Sequence, residues 1–244
     1  MNGVRAVLYR ELHIYRRRWK KHLASYAVSP FLFLVVFGWG LGRNIEMQGV
    51  GYLAFMIPGL ATMASMTQSY GTATEINIAR FYWRIFEEFQ MAPVAAWEIA
   101  LGEVLYGTLR GLVAAVVVYL LAWPFGVPPP NSPVALALFG VHAFAFASAA
   151  VVAAMVVRSH ADQGNINTFF IVPMSFLCGT FFPLDRLPGW AESLAYLLPL
   201  THSSLAIRAV SLGRPVPWGH VTAMAGFAVA FFALAVWAVR RADA

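Results

Sequence analysis

Glu103 and Arg110 stand inside one apolar run, seven positions apart with Tyr106 between them. On a helix that spacing places both on one face, about two turns apart. A charge at the centre of a membrane helix costs about 2.5 to 3.5 kcal/mol on insertion scales, so such residues line a polar path or meet partners on other helices. If the helix instead enters the bilayer later, Glu103 stays at the headgroups and Arg110 snorkels to them; both readings remain open here. His142, Asn165 and Asn167 sit in other apolar runs, where an interhelical hydrogen bond is favoured over substrate contact. Tyr106, Arg110, His142, Asn165 and Asn167 are the candidates for a substrate path.

Other chemistries lack their parts. No GxxxxGK[ST] occurs, and the two lysines, Lys20 and Lys21, lie in a basic N-terminal segment, so the chain has no phosphate loop of its own. No HExxH or similar ligand spacing occurs, and no metal site is expected. Ser203 and Ser204 follow His202 directly, but adjacency is not triad geometry, and no nucleophile is assigned. The chain reads as a non-enzyme. Its single cysteine, Cys178, excludes an internal disulfide and reads as a small core residue.

The elements that hold these residues follow from composition. Of 244 residues, 60% are hydrophobic and 11% charged, with mean hydropathy +0.66, whereas a soluble domain carries roughly 25% charged residues. This chain cannot cover its surface with polar groups and is read as an all-α integral membrane protein, a single transmembrane domain over residues 1–244. The net charge of +6 comes from basic residues that flank apolar runs, which fits anionic lipid headgroups rather than nucleic acid. No cleavable signal is expected.

Residues 3–20 place Val4, Leu8, Leu12, Tyr15 and Trp19 at helical spacing with basic residues between, so 1–22 is expected to form an amphipathic interfacial helix. Six apolar runs follow, near 24–42, 52–74, 99–123, 134–157, 165–183 and 220–239, each long enough for a span that needs about 20 residues. Gly107 and Gly111 form a GxxxG in the third, a motif common by chance. Most of the 17 lysines and arginines fall with the N-terminus, the 75–98 loop, Arg158 and the pair Arg240 and Arg241, which puts both termini in the cytoplasm. The loop 184–219 carries Leu187, Trp190, Leu194, Leu197 and Leu198 on one stripe, broken by Pro188 and Pro199, and is expected to form short re-entrant outer helices.

Residues Glu75 to Glu103 hold five of the 11 acidic residues. From Ile78 to Phe89 the apolar residues recur at helical spacing and leave Arg80, Arg84, Glu87 and Glu88 toward water. Pro93 ends that helix, and Trp97 marks the interface where the third span begins. A short cytoplasmic helix joined to two spans can transmit a push into both.

The stretch FEEFQMAPVAAWEIALGE, with Glu87, Pro93, Trp97, Glu98 and Gly102, resembles the first cytoplasmic loop of the membrane subunits of ABC exporters of the type-2 permease family. The run Met174 to Trp190 is similar to that family's fifth-span ending and outer helices, and Leu198 to Val210, with Leu-Pro-Leu-Thr-His, to the segment that follows. Glu103 departs from the pattern, and no family role is carried onto it. The family includes exporters of drugs, lipid-linked polysaccharides and nodulation-factor lipo-oligosaccharides. The resemblance implies a permease of the bacterial cytoplasmic (inner) membrane that moves an amphipathic substrate outward. It further implies a second permease subunit, a homodimer being expected, and a separate ABC ATPase subunit that binds ATP and Mg, with no cofactor on this chain. The coupling helix would contact the ATPase through Arg80, Arg84, Ile85, Phe86, Glu87, Glu88 and Gln90, and the turn with Arg158, His160 and Asp162 would make a second contact. The reading from residues alone keeps an alternative, a self-sufficient channel or proton-coupled transporter using Glu103, Arg110 and His142. A lipid-processing enzyme lacks a nucleophile or metal constellation.

Overall fold

The computed structural model describes residues 2–41, 45–83, 93–157 and 159–242. The described chain is mainly helical, with one hairpin of two-residue strands. In order it runs α1 (Asn2–Phe33), π-helical turns (Leu34–Leu41), β1 (Glu46–Met47), β2 (Val50–Gly51), α2 (Tyr52–Tyr70), α3 (Thr72–Phe81), α4 (Ala96–Ala122), α5 (Pro133–Val156), α6 (His160–Ile166), π-helical turns (Asn167–Ile171), α7 (Val172–Leu177), α8 (Gly189–Tyr196), α9 (Pro199–Ser211) and α10 (Trp218–Ala242). Four helical stretches are long and apolar enough to cross a membrane, Asn2–Gly38, Ala96–Phe125, Pro133–Val156 and Trp218–Ala242.

The basic N-terminal segment does not end near residue 22 as a separate helix. It runs without a break into the apolar stretch, because no helix breaker precedes Pro30. Against the bundle α1 buries Gly3, Val7 and Glu11, while Trp19 of the apolar stripe is 50% exposed. The cause is Gly102 on α4. A Cβ there would stand 2.7 Å from Val7 Cβ, so the missing side chain lets Val7 sit directly on the α4 backbone.

Two further expectations change. The stretch 52–74 divides at Gly71 into α2 and α3. The stretch 165–183 is not one helix but α6, π-helical turns and α7, followed by irregular chain from Cys178. Pro173 at the start of α7 and Gly179, in the left-handed region at φ 71, break its continuity. Between residues 184 and 219 two short helices form, with Trp190, Leu194 and Leu197 exposed and Ala191 and Ala195 buried.

α4 and α5 form the centre, packed on one another and on α2, with α1 along α4 and α10 along α5. The core has two halves. Met66, Tyr70, Ile99, Phe146, Val151 and Val239 pack toward the end that carries the 82–95 loop. Tyr52, Leu60, Val118, Phe139, Ile207 and Met224 pack toward the end that carries the β-hairpin. The GxxxG of α4 lies where the three central helices meet, and both glycines abut neighbouring helices: a Cβ on Gly107 would lie 2.7 Å from Ala147 Cβ, and one on Gly111 would overlap Ser69 Oγ.

Candidate functional site

Arg110 lies midway along α4 with its side chain 6% exposed, and each of its three nitrogens donates a hydrogen bond. Its Nη1 donates to Glu75 Oε1 at 2.6 Å, its Nη2 to Gln68 Oε1 at 3.3 Å and its Nε to the Tyr26 hydroxyl at 3.2 Å. The Tyr106 hydroxyl donates to the other Glu75 oxygen at 3.1 Å. Four helices are joined through one guanidinium. A buried arginine needs both a countercharge and acceptors for its fork of donors, and Glu75, Gln68 and Tyr26 supply them.

Beside this network a cavity of about 150 Å³ is lined by Arg10, Glu11, Arg18, His22, Glu75, Glu103 and Tyr106 among others. Glu11 pairs with its neighbour Arg10 at 3.1 Å. Glu103 is 4% exposed and makes no hydrogen bond among the described residues. It faces the cavity and not the lipid, because α1 covers it. His142 is elsewhere: its Nε2 meets the Thr62 carbonyl at 3.0 Å, so that nitrogen donates, and its ring packs on Phe146. The set Glu103, Arg110 and His142 is therefore not brought to one cavity. Asn165 and Asn167 lie on exposed faces of α6 and the turns after it.

At the loop end of the bundle, Arg80 on the last turn of α3 is half-buried. Its Nη1 donates to the carbonyls of Ala154, Met155 and Val157 at 3.1, 2.8 and 3.4 Å. Ala154 and Met155 belong to the last turn of α5 and Val157 is its C-cap, so Arg80 meets end carbonyls and also complements the helix dipole. Arg84, Ile85, Phe86, Glu87, Glu88, Gln90 and Arg158 lie outside the described residues. The chain on either side of these positions does converge: Tyr82, 71% exposed, makes an edge contact with His160 at 6.3 Å. His160 and Asp162 are exposed at the start of α6, where Ser159 Oγ caps the helix by accepting from the Asp162 N–H at 3.1 Å.

Glu98 and Gly102, quoted above for their spacing, have structural roles. Glu98 accepts from the Ala95 N–H at 3.4 Å at the start of α4, and Gly3 of α1 packs against Val94 and Glu98. Residues that sequence reasoning passed over include Glu75, Gln68 and Tyr26 as partners of Arg110. They also include a buried chain in which Asn77 donates to Gln163 and Gln163 donates to Tyr70. The available signal was slight: an arginine within a span needs acceptors, and Glu75 follows directly on an apolar run.

Comparison with known proteins gives a consistent result. Residues 2–212 match the family model described as ABC-2 type transporter. Nodulation protein J of Rhizobium meliloti (strain 1021) is 32% identical over 232 residues, 91% of this chain and 88% of that protein. Nodulation protein J of Sinorhizobium fredii is 30% identical with the same coverage, and the inner membrane transport permease YadH of Escherichia coli (strain K12) is 28% identical over 213 residues, 86% of this chain and 83% of that protein.

Proposed function

Because this chain belongs to the ABC-2 type transporter family, as a membrane permease, we propose that it carries an amphipathic substrate (a drug, a lipid or a lipid-linked sugar) outward, driven by ATP hydrolysis on a separate subunit. In this reading the chain crosses the bacterial cytoplasmic membrane six times, the shorter pieces α2 with α3 and α6 with α7 making two of the passes, and both termini are cytoplasmic. A second permease copy completes the translocation unit. ATP and Mg belong to the ATPase subunit, and this chain supplies the surface on which that subunit pushes.

The observation that carries the reading is the junction at the loop end. Tyr82 meets His160 at the start of α6, which supports reading the two expected ATPase contacts as one face. Arg80 fastens α3 to the end of α5, and Gly3 fastens α1 to the start of α4. A displacement of the loop therefore reaches α3, α4 and α5 together. Closure of the ATPase pair on ATP favours one arrangement of these helices, and hydrolysis releases it, which is the differential binding that a population shift requires. Arg80 acts in this scheme as a brace behind the contact surface, and Arg84 to Gln90 as the surface itself.

The test is a double charge reversal, Glu87→Lys with Glu88→Lys, in the permease reconstituted with its ATPase subunit. ATP-driven transport is expected to fall at least tenfold, while the unfolding midpoint and dimer content of the purified permease stay unchanged. Wild-type coupling in that variant would remove the loop from the ATPase interface.

A further inference from the structure

At the hairpin end, a cavity of about 210 Å³ opens between the hairpin turn, α9 and the start of α10. That is well above the ~15 Å³ that admits one water. Gln48, Arg208, Arg214 and His220 supply its polar lining, and no carboxylate lines it among the described residues.

Arg208 is 4% exposed. Its Nε donates to the Phe55 carbonyl at 2.9 Å, its Nη2 to the Gly179 carbonyl, with longer contacts to Thr180 and Ser204, and its guanidinium lies 4.1 Å from the Phe55 ring centre. Carbonyl dipoles satisfy these donors but bring no countercharge. Among the described residues Nη1 has no hydrogen bond and no acid forms an ion pair with this side chain. The same bundle shows the compensated case in Arg110, which has Glu75. A buried, permanently charged group without an acid is costly unless an anion completes it.

The rest of the cavity supplies a second cation on a fixed support. Arg214 donates from Nη2 to the Gln48 carbonyl at 2.7 Å and from Nη1 to Gln48 Oε1 at 3.3 Å. Gln48 itself holds φ 52 in the hairpin turn, a left-handed conformation uncommon for a residue with a side chain. His220 contributes a neutral nitrogen. His202 Nε2 must donate to the Tyr196 carbonyl at 2.9 Å, so neutral His202 accepts at Nδ1 from His220 Nδ1–H at 3.0 Å, which leaves His220 Nε2 as a bare acceptor. Two arginines and no acid, with one acceptor for an O–H, match a partly protonated tetrahedral oxyanion.

We propose that Arg208 and Arg214, with Gln48 and His220, form a receptor for a phosphate-type oxyanion at the hairpin end of the bundle. The group comes either from a lipid or lipid-linked headgroup or from free inorganic phosphate, and the chemistry of recognition is shared. If the transport reading above holds, the site lies at the outer mouth, where an anionic headgroup would pause on release.

The experiment follows thermal unfolding of the purified full-length permease without any ATPase subunit, so its failure leaves ATP coupling untouched. One arm titrates inorganic phosphate in phosphatidylcholine nanodiscs, and the other replaces part of the phosphatidylcholine with phosphatidylglycerol. Binding to the folded state raises the midpoint. A rise in the first arm assigns a free-phosphate receptor, and a rise in the second arm alone assigns a headgroup receptor. In either case Arg214→Gln should shift the half-maximal concentration at least tenfold upward, with an unchanged ligand-free midpoint because Arg214 is exposed. Arg186→Gln, an equal loss of charge outside the cavity, should behave as wild type. No rise in either arm, an undiminished response in Arg214→Gln, or an equal loss in Arg186→Gln overturns the proposal.

Discussion

Glu75→Gln is expected to destabilise the permease by about 3 to 5 kcal/mol, the scale of removing one partner from a buried ion pair. The physical reason is an asymmetry of exposure: the Arg110 side chain is 6% exposed and that of Glu75 39%. Removing the carboxylate strands a cation mid-helix with only Tyr26 and Gln68 for company. Arg110→Met is expected to cost less, about 1 to 3 kcal/mol, because the orphaned Glu75 reaches water and keeps the hydrogen bond from Tyr106. The double variant Glu75→Gln with Arg110→Met should then be more stable than Glu75→Gln alone. Unfolding midpoints of the four proteins in one detergent complete the cycle. A Glu75→Gln protein as stable as wild type, or a double variant below both singles, would show that pairing is not what tolerates Arg110 in the bundle.

Gly111→Val is expected to cost about 3 kcal/mol, the upper part of the range for overpacking a close-packed interior. A first side-chain carbon at 111 overlaps Ser69 Oγ, stands 2.9 Å from Ser65 Oγ and 3.0 Å from Ala143 Cβ, so α2 and α5 would both have to retreat. In contrast, Gly140 on α5 has open space at its Cβ position, and Gly140→Ala should leave the midpoint within about 0.5 kcal/mol equivalent of wild type, as surface substitutions do. Equal midpoints for Gly111→Val and Gly140→Ala, read in the same thermal scan, would remove close packing as the reason for the GxxxG.

Much of the helical layout was legible because long apolar runs have few alternatives in lipid. The runs that became α4, α5 and α10 carry little internal proline and formed as long helices near their expected bounds. The failures share a cause. Residues 165–183 have the hydropathy of a span, but Pro173 and Gly179 act on backbone geometry, which an average over side chains does not register. Likewise, periodicity gave α1 its helical type but not the face, Gly3, Val7 and Glu11, that packs on the bundle. Which residues of α1 are buried was decided by a gap on another helix at Gly102, far from Val7 in sequence.

The same division runs through the candidate sites. By itself the sequence determined the membrane class, the absence of a phosphate loop and the three motif regions that carry the family resemblance, since each is a property of residue types and local spacing. Tertiary structure alone decided what the charges do. It gave Arg110 a carboxylate partner, set Glu103 against a cavity instead of the lipid, turned Arg80 onto the end of α5, separated His142 from the others, and left Arg208 with carbonyls and no acid. The reason is that the cost of a buried charge depends on groups brought near it by folding, from Tyr26 to Arg110 and from Phe55 to Arg208. No local pattern encodes that proximity.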